Sequence, residues 1–111
     1  MLIYFKSRKL QKICSKQNEA VKKLGSKMAL KLQQRMMELS AAQCLDDVSK
    51  LPPARCHQLK GNRSGQFSID LDHPYRLIFI PIGNPKAEEN GSSLDLAEIV
   101  EIEIIDIIDT H

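Results

Sequence analysis

His57 and the basic residues that follow it are the part of this sequence best suited to chemistry. Lys60 and Arg63 lie three and six residues after His57, and Arg76 falls in a neighbouring predicted strand. An arginine can hold a phosphate through two parallel hydrogen bonds, a lysine acts as a mobile point charge, and a histidine can transfer a proton near neutral pH. This set predicts cleavage of RNA by internal attack, which needs a base for the 2′-OH proton, cations for the phosphoryl oxygens and an acid for the leaving 5′ oxygen. A solvated basic turn beside a surface histidine is the competing interpretation.

The last three residues form a second group with acid–base capacity. Asp109, Thr110 and His111 place a carboxylate, a hydroxyl, an imidazole and the terminal carboxylate together. They directly follow an apolar predicted strand, which would hold the terminus against a sheet instead of leaving it frayed. We therefore predict that His111 faces His57 or a bound phosphate.

Cysteine and histidine spacing does not favour other reactive centres. The three cysteines are an odd number without a C-x-x-C pair, which predicts neither a disulfide framework nor a zinc site and fits a reducing cytoplasm. Cys56, His57 and His73 lack the usual spacing of metal ligands, so we predict no metal and no cofactor. The longest apolar run, 77–82, is far shorter than a membrane span, and we expect a cytoplasmic protein without membrane contact.

The first half of the chain carries the pattern of helices. Residues 2–5 are β-prone and predict an N-terminal strand that enters a helical region. Apolar residues then recur at intervals of three and four, which predicts two helices, roughly 17–24 and 26–40, or one bent helix. Gly25-Ser26 would separate them as a C′ glycine followed by an N-cap serine. A short helix over 41–50 would end before the proline pair at 52–53.

The second half changes to the pattern of strands. Short β-prone runs at 56–59, 66–71 and 75–80 are separated by turn-type residues, 84–93 is a polar loop, and 98–109 alternates acids with isoleucine and valine. The order predicts one α+β domain over 1–111, with an N-terminal strand and helices packed on one face of a mostly antiparallel sheet of about four to five strands. Residues near positions 57 and 109 could then meet on the other face.

Charge is divided between the two halves. Residues 1–64 hold 14 of the 16 lysines and arginines but only four acids, whereas residues 65–111 hold two basic and ten acidic residues. If the halves pack together they partly neutralise each other, and the remaining basic surface is a candidate for binding a polyanion. The predicted helices carry a row of cations on their solvent side: Lys22, Lys23, Lys27, Lys31 and Arg35.

The motif around His57 resembles a known family. The segment HQLKGNRSGQFSI at 57–69, with Tyr75-Arg76-Leu77 and the terminal Asp109-Thr110-His111, resembles the HigB branch of the RelE/ParE toxin superfamily. The resemblance is good over 55–80, and the order of elements is consistent elsewhere. It implies a RelE/ParE-like fold and a toxin that pairs with an antitoxin and cleaves messenger RNA in the ribosomal A site.

The resemblance also implies roles for individual residues. The predicted catalytic set is His57 for proton transfer, Arg76 at the phosphate, and Asp109 with His111 as a C-terminal pair. The resemblance gives Lys60 and Arg63 as substrate-binding residues, and the basic charge pattern of the helices adds Lys22, Lys23, Lys27 and Lys31. Thr110 stands where the family commonly has tyrosine, and it has no ring to stack on a base and is a poor acid. We expect this difference to weaken base orientation or rate.

Two classes of function fit these features. The first is the toxin of a type II toxin–antitoxin system, a ribosome-dependent mRNA endoribonuclease that uses metal-independent general acid–base catalysis and is neutralised by a helix-turn-helix antitoxin. The second is a member without nuclease activity, either a ParE-like gyrase inhibitor or a partner-binding module, because one fold can carry different functions. His57 together with His111 favours the nuclease, since gyrase inhibition needs no histidine pair.

Overall fold

The structure, a computed structural model, describes residues 1–83 and 95–109. Four helices and five strands form within these ranges. In chain order they are β1 (Leu2–Phe5), α1 (Arg8–Ser15), α2 (Gln17–Leu24), α3 (Ser26–Ala41), α4 (Leu45–Ser49), β2 (His57–Gln58), β3 (Phe67–Asp70), β4 (Tyr75–Pro81) and β5 (Glu101–Asp109). Short 3₁₀ turns lie at Gly61–Arg63 and Leu96–Glu98. The predicted polar loop at 84–93 lies outside the described residues.

The strands form one five-stranded sheet in the order β1-β5-β4-β3-β2. β1 runs parallel to β5 because the helices connect it to the rest of the sheet, and the other neighbouring pairs are antiparallel. The helices pack on one face of the sheet, and this confirms the predicted α+β class. The core between the two layers consists of apolar side chains from both, among them Ile13, Ala29, Leu32, Leu39, Phe67, Ile69, Leu77, Phe79, Ile102 and Ile104.

The predicted break between two helices is confirmed at Gly25. This residue has φ +86°, a conformation that L side chains rarely adopt, which explains why glycine stands there. Its N–H donates to the Val21 carbonyl at 2.9 Å and its carbonyl accepts from the Ala29 N–H at 3.0 Å. Gly25 therefore ends α2 and caps α3, whereas Ser26, which we predicted as the cap, is the first residue of α3.

A separate first helix precedes these two, where the sequence predicted only a helical region. Ser7 caps α1 by accepting a hydrogen bond from the Leu10 N–H through its side chain at 3.1 Å. Such a cap satisfies one of the free N–H groups at a helix start. The serine therefore fixes where the chain leaves β1 and turns into the helical layer.

The prediction that Arg35 lies on the solvent side of its helix is wrong. Its side chain is only 2% exposed. The guanidinium donates from Nε to the Asp70 carbonyl at 2.7 Å, from Nη2 to the Pro53 carbonyl at 2.8 Å, and from Nη1 to a Glu38 carboxylate oxygen at 3.1 Å. A buried charge is tolerated when it is paired and hydrogen-bonded in this way. Arg35 therefore ties α3 to the end of β3 and to the turn that contains Pro53.

We expect Arg35→Met to lower the free energy of unfolding by about 3–5 kcal/mol, because it removes a buried guanidinium that bonds two partly buried carbonyls and a half-buried carboxylate. Urea unfolding followed by circular dichroism measures this change. Gln34→Met, at the exposed neighbouring position of α3, is the matched control and should stay within about 0.5 kcal/mol of the wild type. An Arg35→Met protein as stable as the control would contradict the structural role of the guanidinium.

Candidate active site

The sheet register places His57 and Arg76 on the same face, the one opposite the helices. His57 pairs with Ser68 and Arg76 pairs with Asp70, and Ser68 and Asp70 point to the same side because they are two residues apart in β3. The intervening Ile69 belongs to the core under the helices. We call this side the open face. Two residues of the predicted catalytic set are therefore brought together by strand pairing across β2, β3 and β4.

Asp70 lies between two arginines on the open face. Its Oδ1 is 3.5 Å from Arg76 Nε and its Oδ2 is 3.6 Å from Arg55 Nε. Neither Arg55 nor Asp70 was predicted from the sequence as a site residue. The position of Arg55, two residues before His57, was a signal that it belongs to the basic cluster. Asp70 had no such signal, because in the sequence it is only one residue of a β-prone run.

The open face also carries two buried side-chain oxygens for which no hydrogen-bond partner exists among the described residues. They are Ser68 Oγ and Asp70 Oδ1. Buried polar atoms are satisfied in most proteins, so an exception calls for an explanation such as a functional site. Both oxygens lie between His57 and Arg76 in the register. The two oxygens thus lie in the same area of the sheet as His57 and Arg76.

Lys60 and Arg63 extend the basic side of this area beyond β2. Lys60 is exposed and directly precedes the 3₁₀ turn in which Arg63 lies. Arg63 is half-buried and donates from Nη1 to the Gln66 Oε1 at 3.0 Å, so part of its guanidinium is already engaged. The turn holds both cations at the edge of the sheet next to His57.

Asp109 does not share the open face with His57. A register shift between Ile78 and Phe79 leaves Ile105 as an extra residue in β5, a β-bulge that reverses which side the following residues face. Ile107 consequently packs against the core. Asp109 lies two residues further along the strand and faces the same side as Ile107. Asp109 pairs with Tyr75 at the end of the strand. We expected residues near positions 57 and 109 to meet on the open face, and the bulge is the physical reason why Asp109 faces the other side.

The described residues end at Asp109 on this strand. The predicted positions of Thr110 and His111 therefore lie outside the described residues. The contact of His111 with His57 stays a prediction.

The predicted lysines lie on the helical layer, away from the open face. Lys22, Lys23 and Lys27 are exposed, and Lys31 is half-buried. Lys27 Nζ lies 3.7 Å from Asp72 Oδ1, and this exposed pair is worth little in free energy. The lysines form a basic surface that is separate from the cluster around His57.

The open face itself is divided by charge. Three residues of β5 that face this side are acidic, Glu101, Glu103 and Asp106, whereas Ile108, the register partner of Arg76, is apolar. The arginines at Asp70, the exposed His57 and the basic turn occupy the opposite edge. A polyanion would be attracted to the β2 edge and repelled from the centre of the sheet.

The cysteine next to His57 is a poor nucleophile. Burial raises the pKa of the Cys56 thiol to about 11 and that of Cys14 to about 12. The thiolate is the reactive form of cysteine, so both side chains are inert near neutral pH. Cys56 is therefore not a candidate nucleophile beside His57.

The described part of the chain holds neither a cluster of metal ligands nor a membrane-spanning helix. Among residues 1–83 and 95–109, no group of three or more His, Cys, Asp or Glu side chains is placed to hold a metal ion. None of the helices in the same ranges has the length and apolar character needed to cross a membrane.

Comparison with known families identifies a family that this chain matches. The model of the HigB-like toxins, described as RelE-like toxins of type II toxin–antitoxin systems, matches residues 4–90. No curated protein matches the chain. The matched range includes the strands that carry His57 and Arg76 as well as all four helices. Because the match covers most of the chain and agrees with the α+β fold, the protein belongs to the HigB-like family of RelE-like toxins of type II toxin–antitoxin systems, which implies an antitoxin as its partner.

Proposed function

We propose that this toxin is a ribosome-dependent endoribonuclease that cleaves messenger RNA by general acid–base catalysis. The observation that carries the proposal is the position of His57 on the open face together with Arg76 and the buried Asp70 oxygen. A proton-transfer group beside guanidinium groups is what internal cleavage of RNA requires.

The proposed reaction proceeds by attack of the 2′ oxygen on the adjacent phosphorus. His57 accepts the 2′-OH proton or donates a proton to the leaving 5′ oxygen. Arg76 stabilises the charge that grows on the phosphoryl oxygens, and its two-pronged hydrogen bonding suits a phosphate. Lys60 and Arg63 hold the neighbouring backbone phosphates at the edge of β2. The products are a 2′,3′-cyclic phosphate and a free 5′ hydroxyl.

The C-terminal residues complete the proposed proton transfer. His111 is proposed as the second imidazole, on the strength of the resemblance of the terminal triplet. The resemblance pairs Asp109 with His111. Because the bulge turns Asp109 away from the face of His57, its proposed part is to act through His111 and not on the phosphate itself.

The proposed partners are the ribosome with its messenger RNA and a helix-turn-helix antitoxin, in the cytoplasm. The helical layer carries the lysines that would contact ribosomal RNA: Lys22, Lys23, Lys27 and Lys31. Aromatic residues make up only 5% of the chain. Proteins that bind single strands by themselves stack bases on aromatic side chains, so a low aromatic content favours a substrate presented by the ribosome.

Purified protein is expected to cleave messenger RNA on translating ribosomes and to leave the same RNA intact when ribosomes are absent. Primer extension on both samples measures this. A gyrase supercoiling assay run in parallel tests the ParE-like alternative. Equal cleavage of free RNA, or inhibition of supercoiling without RNA cleavage, would contradict the proposal.

His57→Gln should lower the single-turnover cleavage rate by about 10² to 10⁴, because it removes a group that transfers a proton in the transition state. Ribosome affinity should hardly change. His73→Gln is the matched control, since His73 lies in the turn between β3 and β4, and should cleave at the wild-type rate. Wild-type cleavage by His57→Gln on saturating ribosomes would remove the catalytic role of His57.

Replacing Lys22, Lys23, Lys27 and Lys31 together by alanine should weaken ribosome binding and flatten its dependence on salt. The slope of log K against log salt should fall by up to about one for each lysine that contacts a phosphate. The fourfold Lys→Arg variant keeps the charge and should bind as the wild type does. Single-turnover cleavage at saturation should stay the same in both, and an unchanged salt slope in the alanine variant would show that the ribosome docks elsewhere.

A further inference from the structure

The carboxylate of Asp70 holds two guanidinium groups next to each other. Each of its oxygens faces a different arginine through Nε, at 3.5 Å for Arg76 and 3.6 Å for Arg55. These distances are longer than hydrogen bonds, so the donors of both guanidinium groups remain available to a ligand. The Asp70 side chain is 23% exposed, the Arg76 side chain 31% and the Arg55 side chain 64%. The pair of arginines is therefore open to solvent while the carboxylate beneath it is largely covered.

The backbone also fixes Arg55 at this place. The Asp70 N–H donates to the Ala54 carbonyl at 2.7 Å, and Arg35 binds both the Asp70 carbonyl and the Pro53 carbonyl. Arg55 itself has a positive φ of +47°. Among the described residues, the others with a positive φ are all glycines. Strained backbone of this kind persists where surrounding contacts enforce it and is concentrated at functional sites. The turn before β2 is thus held against the end of β3 in a conformation that costs energy.

We propose that Arg55 and Arg76 together bind one backbone phosphate of the RNA and that Asp70 is the positioning residue for both. The inference rests on the proposed function and adds Arg55 to the binding residues. Two arginines against one carboxylate leave a net positive charge, which an anion can neutralise. Asp70 Oδ1 is buried and has no hydrogen-bond partner among residues 1–83 and 95–109, which fits this role because hydrogen bonds at such sites are often long in the free protein and shorten when substrate binds.

Binding can be tested without cleavage by nuclear magnetic resonance. The probe is a 2′-O-methylated RNA tetranucleotide, which has no 2′-OH to attack, added to protein labelled with ¹⁵N-arginine. We expect the Nε–H signals of Arg55 and Arg76 to shift along one binding curve, with the exposed Arg8 unaffected. A shift of the Arg76 signal without the Arg55 signal, or of neither, would overturn the proposal.

Cleavage on the ribosome gives the second measurement. Arg55→Ala should lower the single-turnover rate by about ten- to a hundredfold, the usual effect of losing a hydrogen bond to a charged group. Arg55→Lys should recover only part of the rate because lysine cannot form the two-pronged contact. Arg8→Ala removes an exposed arginine of α1 and should leave the rate unchanged. A wild-type rate for Arg55→Ala would count against a phosphate contact.

Asp70→Asn tests whether Asp70 acts by positioning the two arginines or only through its negative charge. The substitution removes a negative charge, so a purely electrostatic role predicts tighter RNA binding and equal or faster cleavage. A positioning role predicts a rate at least about tenfold lower with affinity unchanged or tighter, since small displacements of a catalytic group are costly. Asp70→Glu keeps the charge and lengthens the side chain, and it should also lose rate. Thermal unfolding shows whether each variant is folded, and a folded variant of either kind with an undiminished rate would overturn the positioning role.

The two measurements keep this inference apart from the proposed function. If the wild type fails to cleave RNA but both arginine signals shift with the tetranucleotide, the phosphate site stands and the nuclease proposal fails. If the wild type cleaves RNA and Arg55 takes no part in either measurement, the nuclease proposal stands and the phosphate site fails.

Discussion

The buried guanidinium of Arg35 is the interaction on which the site depends. It joins three parts of the chain that are far apart in sequence: α3, the turn at Pro53 and the end of β3. Each of its bonds goes to a partly buried acceptor in a different part of the chain or on its own helix, so removing the guanidinium disturbs all three parts at once. Because the turn at Pro53 leads directly into Arg55 and His57, the position of the candidate active site follows from a contact made on the helical side of the sheet.

Acidic and basic residues occupy different parts of the open face, and this determines where an anion can bind. The acidic strand β5 lies in the sheet between β1 and β4, and the basic residues collect at the opposite edge around β2 and β3. An RNA backbone is attracted to the second region and repelled from the first. The near-balance of the chain's charges, a formal net +2, conceals this division. The chain thus keeps a low overall charge and still presents a localised basic surface.

Local patterns predicted most of the architecture. Apolar periodicity placed α2 and α3, Gly25 marked the break between them, and alternating residues placed the final strand. The motif from His57 to Arg63 was also predictable, since residues within seven positions of one another lie close in almost any fold. These features depend on neighbours in the chain, and backbone geometry alone is enough to relate them.

Contacts between distant segments decided the rest. In the periodic pattern Arg35 resembles any other cation on a helix surface, and only the carbonyls of Pro53 and Asp70 across the core make its burial favourable. Asp70 gained its role by lying between Arg55 and Arg76, which strand pairing brought together. Asp109 was expected to meet His57 on the open face, and one extra residue in β5, Ile105, turned it to the other side. The sequence by itself determined the elements and the local motif, whereas only the tertiary structure decided which face each side chain meets, because burial and register depend on partners that the local pattern does not contain.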